Sequence, residues 1–126
     1  MKRLFTVNLT PDKKRVVDDI CSRLGAVSAE LDRRCYGVCL GDLCAVDDPG
    51  KCSQAEYTGR ELSMDMLIFD GISSKELDIF LDRYRASGLE PVKLKAMVTE
   101  TNAGWTVEQL YGELAKEYLF YKMRGK

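Results

Sequence analysis

The chain has 126 residues, 45% of them hydrophobic and 31% charged, which bounds it to one domain (1–126) large enough for a core without staples. A net charge of −1 gives no general pull on nucleic acid or a membrane surface, so neither is expected as a partner. There is no histidine, which removes the commonest general base, metal ligand and pH switch.

The opening MKRLFTVNLT is basic but lacks an apolar signal region, and no run is long enough to span a bilayer. A cytoplasmic location with reduced cysteines is the expectation. In residues 3–9, Phe5, Val7 and Leu9 alternate with Thr6 and Asn8, which predicts a first strand. Thr10-Pro11 opens a helix, Val17, Ile20, Cys21 and Leu24 form its apolar stripe, and Gly25 ends it. Residues 26–30 read as a second strand, and 36–44 as a short helix or turn. The stretch from about 31 to 62 is a Cys-rich irregular excursion, with a turn signal at Asp47-Asp48-Pro49-Gly50.

Met64, Met66, Leu67, Ile68 and Phe69 form a run apolar on both faces and predict a buried strand. Ser73 with Glu76 is a capping box for the next helix, whose stripe is Leu77, Phe80, Leu81 and Tyr84 and whose stop is Gly88. After Pro91, Val92, Leu94, Ala96 and Val98 alternate with Lys93, Lys95, Met97 and Thr99, giving a strand with one buried and one wetter face. Thr106 with Gln109 is a second capping box, opening a last helix with a stripe of Val107, Leu110, Tyr111, Leu114, Tyr118 and Tyr121. No internal sequence repeat is visible, although the β-α-β pattern occurs twice. The fold expected is an α+β, ferredoxin-like two-layer sandwich, βαβ-βαβ plus a C-terminal helix. A three-layer α/β arrangement is the alternative.

Two stretches attract a functional reading. Cys35, Cys39, Cys44 and Cys52 are spaced C-x3-C-x4-C-x7-C, and four thiolates suit zinc or an iron–sulfur cluster, in a metal- or redox-sensing protein. The spacing matches no standard signature, and small apolar cysteines beneath a short helix are the plainer reading. The second stretch ends a strand and begins a helix, where Lys93, Lys95, Thr99, Thr101, Asn102, Trp105 and Thr106 would bind an anionic ligand. Against that stand ordinary cap and loop roles for Thr and Asn, and a hydrophobic staple for Trp105. No catalytic residue is assigned. The last helix carries Leu119, Phe120 and Tyr121 beyond one stripe, which suggests a homodimer or another protein partner.

At this loop the sequence resembles a small bacterial family catalogued as a domain of unknown function, with a closing motif of Leu-Lys-Ala-x-x-Thr-x-Thr-Asn-x-x-Trp-Thr. Leu94, Lys95, Ala96, Thr99, Thr101, Asn102, Trp105 and Thr106 carry the motif. The upstream MLIFDGISSKELDIFLDRYRASGL is similar to the same family, so coverage runs over about 64–120. Glu100 stands where members often have Pro, and Glu117-Tyr118 where they have Glu-His. The resemblance implies no known activity. The reading of function is a non-catalytic module that binds a ligand or a protein.

Overall fold

A computed structural model of the protein describes residues 2–31, 35–45 and 62–123. The described elements are, in order, β1 (Arg3–Val7), α1 (Pro11–Leu24), β2 (Val27–Glu30), α2 (Leu40–Ala45), β3 (Met66–Asp70), α3 (Ser74–Ala86), β4 (Leu94–Met97) and α4 (Val107–Met123). The turn signal at 47–50 and Cys52 lie outside the described residues.

Helix starts follow from capping chemistry. The Thr10 hydroxyl accepts from the Lys13 N–H, and Pro11 takes a first-turn position where no N–H is needed. Ser73 and Glu76 satisfy each other's backbone N–H at α3, and Thr106 and Gln109 do the same at α4. Gly25 closes α1 with φ 73°, in the left-handed region that disfavours a Cβ.

The four strands form one mixed sheet in the order β2-β1-β3-β4. β1 and β2 are parallel, β3 and β4 are parallel, and β1 and β3 run antiparallel between them. Each parallel pair is joined by its helix, α1 or α3, so the sheet is two β-α-β units side by side. Leu4, Leu67 and Phe69 face α1 and α3 in one core, with Val17, Ile20, Cys21, Phe80 and Tyr84. Phe69 and Phe80 meet edge to face, with centroids 5.2 Å apart. Phe5, Val7, Met66, Ile68 and Leu94 face the opposite core, built with Leu40, Leu43, Val107, Leu110 and Tyr111.

The architecture is thus the expected α+β, four strands and four helices, compatible with a ferredoxin-like two-layer sandwich. The sheet with α1 and α3 makes the two layers of the βαβ-βαβ unit pair, and α4 with α2 adds cover on the second face. The alternation of residues 3–9 puts Thr6 on a polar face, yet β1 is buried along its length. Its Arg3 is bonded to the Leu43 carbonyl at 3.2 Å, and its Thr6 lies beneath the helices.

Candidate functional site

The Thr-Asn-Trp loop is held by its own polar side chains. Asn102 is buried; its Oδ1 accepts from the Thr99 N–H (2.8 Å), its Nδ2 donates to the Met97 carbonyl (2.9 Å), and its own N–H donates to Thr99 Oγ1 (3.2 Å). Those bonds satisfy a strand end and a turn that leave the sheet ladder. The next carbonyls reach across to α2. Leu40 N–H donates to the Trp105 carbonyl and Gly41 N–H to the Ala103 carbonyl, both at 2.9 Å. Trp105 packs half-buried on the α4-side core. Asn102, Trp105 and Thr106 therefore lock and cap the α2–α4 junction, whereas Thr99 and Thr101 are exposed.

The cysteines lie at the same junction. Cys35 is buried in the α4-side core. Cys39 forms an isolated antiparallel bridge with Thr106, and its Sγ–H donates to the Gly104 carbonyl at 3.5 Å. Burial, with an Asp70 hydrogen bond, pushes the Cys44 thiol up to about 12; burial and Asp18 push Cys21 up to about 11. Both are thiols rather than thiolates at neutral pH, and the thiolate is the form that ligates and attacks. No group of three or more His, Cys, Asp or Glu side chains placed to hold a metal ion occurs among the described residues.

The remaining two predicted residues flank a polar centre on the other side of the sheet. Lys13 and Asp65 make a buried ion pair, Nζ to Oδ2 2.7 Å, while Asp65 Oδ1 accepts from the Lys93 N–H at 2.8 Å. Burial works against both charges, but their mutual hydrogen bond and attraction hold the Lys13 pKa above and the Asp65 pKa below the ordinary values. The side chain of Lys93 is exposed, and its backbone is what this centre uses.

Lys95 takes a different position. Its residue is exposed as a whole, yet its ammonium turns back to the Val92 carbonyl (2.7 Å), and local burial lowers its pKa. It lines two hollows between α3 and β4. One, of about 250 Å³, is walled by Leu67, Phe80, Leu81, Tyr84, Leu89 and Val92, with Arg85 at its wall. The other, of about 190 Å³, is walled by Phe69, Leu77, Leu81, Ala96 and Met97. Tyr84 Oη donates to the Glu90 carbonyl at 2.7 Å, tying down the loop that carries Pro91 and Val92. Sequence reasoning missed Leu81, Arg85 and Leu89 as site residues. The signal was there in Leu77 and Leu81 at helical spacing opposite the wetter face of the strand, which is the face turned to α3. A wider groove of about 530 Å³ runs along α4 past Trp105, Gly112, Lys116 and Leu119.

Residues 65–121 match the model of a family described as a domain of unknown function (DUF3783). The matched segment, 57 of the 126 residues, is similar to that family. The DUF3783 segment begins at Asp65, before β3, and runs through α3 and β4 into α4, so it contains the α3–β4 hollows and the Asn102 lock. No curated protein matches the chain. No solved structure matches it.

Proposed function

We propose that the protein is a non-catalytic binding module whose ligand is a small amphipathic anion, taken up between α3 and β4. The observation that supports this reading is the meeting of two apolar hollows at one lysine whose ammonium is partly desolvated. Apolar walls with a few convergent polar groups are what small-molecule sites require. An apolar body would occupy the Leu67–Phe80–Leu81 hollow, and its carboxylate or phosphate would pair with Lys95, with Arg85 nearby. A desolvated ammonium gains more from such a partner than a hydrated one does.

Calorimetric titration with octanoate tests this. Wild type is expected to bind octanoate better than octanol, and Lys95→Met to lose at least tenfold in affinity for octanoate with little change for octanol. Equal affinity of wild type and Lys95→Met for octanoate overturns the reading. The lowered Lys95 pKa also sets a pH dependence. The ammonium is lost below the ordinary lysine value, so octanoate affinity falls as pH rises through that lowered pKa.

A second reading rests on α4, where Leu119, Phe120 and Tyr121 are 51%, 55% and 69% exposed. Apolar exposure at consecutive positions suits a protein partner, including a second copy of this chain. Light scattering at high concentration checks it: a dimer supports the second copy, and a strict monomer removes it.

A further inference from the structure

The two halves of the chain repeat one another element by element. At the centre of the antiparallel pair Phe5 faces Ile68, and the register opens outward from there, Arg3 to Asp70 and Val7 to Met66. A two-fold axis at that centre carries β1-α1-β2 onto β3-α3-β4. It carries the helix cap Thr10 onto Ser73, and the left-handed Asn8 and Gly25 onto the left-handed Gly71 and Gly88. The bond from Leu31 N–H to the Thr6 carbonyl returns as Val98 N–H to the Phe69 carbonyl, both 2.8 Å. Across the α2–α4 junction the bonds come in mates. Leu40 to Trp105 is answered by Val107 to Val38, and Gly41 to Ala103 by Glu108 to Tyr36. The DUF3783 match covers one such unit, the C-terminal one.

Two ion pairs cross the seam and obey the same axis with their signs exchanged. Lys2 and Asp65 are equivalents just before β1 and β3; Lys13 and Glu76 are equivalents at the third position of α1 and α3. Lys13 pairs with Asp65, and Lys2 with Glu76. We propose that the chain is two fused copies of one β-α-β-α unit, and that the seam between them is a docking surface that selects an unlike unit by charge. Two C-terminal units across this seam set Asp65 against Glu76, and two N-terminal units set Lys2 against Lys13. Only the unlike pairing gives attraction at both places, and like charges held together are what exclude a wrong partner. The C-terminal unit therefore takes a partner unit with basic groups at both of these positions, which the N-terminal unit of any copy of this chain supplies.

The test uses two full-length variants, Lys13→Glu and Asp65→Lys. Each alone places like charges at the buried pair and is expected to unfold at lower urea than wild type. When the two are mixed in urea and refolded together, the N-terminal unit of the first can meet the C-terminal unit of the second, and the remaining two units restore the native pair. The expected result is a 1:1 dimer of twice the chain mass that unfolds at higher urea than either variant alone. Monomers only after mixing, or the same dimer from one variant by itself, overturns the proposal. The more exposed pair, through Lys2→Glu and Glu76→Lys, repeats the test in variants that keep the buried pair. There too a dimer is expected only on mixing, and its absence overturns the proposal.

Discussion

Thr6 carries the one buried side-chain oxygen or nitrogen without a hydrogen-bond partner among the described residues. Its equivalent in the second unit is Phe69, so the hydroxyl sits where the other unit places a ring. A buried polar group without a partner costs free energy that an isosteric apolar group does not. Thr6→Val is expected to stabilise the protein by about 1 kcal/mol in urea unfolding. Asn102 is the opposite case, a buried amide bonded at both ends. Asn102→Ala leaves the Thr99 N–H and the Met97 carbonyl without their partners and is expected to cost about 2 kcal/mol by the same measurement. The acid limb follows from the carboxylates. The Lys2 hydrogen bond and the Ser73 N–H bring Glu76 from 4.5 down to about 2, and Lys13 with the Lys93 N–H holds Asp65 below its ordinary value. For both, the folded pKa is the lower, so the stabilisation is complete above the ordinary carboxylate range and fades as pH falls toward the folded values. Lys13→Met leaves Asp65 buried without its cation. A loss of about 3 kcal/mol at pH 7 is expected, shrinking as pH drops and Asp65 protonates. A pH series of urea midpoints for both proteins checks this.

At the scale of elements, what was legible depended on whether the cause was local. The caps at Thr10, Ser73 and Thr106 could be read directly, because a hydroxyl and an N–H three residues on belong to one short stretch. They are not equal. Ser73 Oγ lies 3.1 Å from the Glu76 nitrogen within a full capping box, whereas Thr10 Oγ1 lies 3.4 Å from the Lys13 nitrogen. Ser73→Ala is therefore expected to cost about 1 kcal/mol and Thr10→Ala less, compared through their urea midpoints. The faces of the strands were harder to read. The alternation after Pro91 marked Lys95 and Met97 as the wetter side, but that side turns to α3 and forms the hollows. Which helix covers a strand face depends on the crossover, which no period of two encodes. The Thr-Asn-Trp loop was legible as a polar loop before a helix, and not as a lock against α2, because its partners Leu40 and Gly41 lie far away in the chain.

At the scale of the whole molecule, the duplication escaped the sequence because the shared positions keep roles and not residues. Gly25 with Gly88, Gly37 with Gly104, and Leu43 with Leu110 are retained; Asn8 stands for Gly71, Val17 for Phe80 and Lys13 for Glu76. The two stretches that drew attention are one place seen twice. Cys35, Val38 and Cys39 occupy the positions of Asn102, Trp105 and Thr106, and Cys44 that of Tyr111, whose hydroxyl accepts from the Met64 N–H at 2.9 Å. The hollows, by contrast, belong to one unit alone. The first unit has Asp18 and Ser28 where the second has Leu81 and Lys95, and the Ser28 hydroxyl donates to Asp18 at 2.6 Å across the equivalent space. The second unit also carries a longer loop between helix and strand, which supplies Leu89, Pro91 and Val92 to the wall. What both units share builds the fold; what only the second has forms the α3–β4 hollows proposed to take a ligand.

The measurement that tests this most directly is chemical-shift mapping of the backbone amides during an octanoate titration of the full chain. Shifts that saturate at Leu81, Tyr84, Val92 and Lys95, with none at the equivalent Asp18, Cys21 and Ser28, are the result expected. Saturating shifts confined to other parts of the chain, or no shift at millimolar octanoate, would contradict a ligand site between α3 and β4.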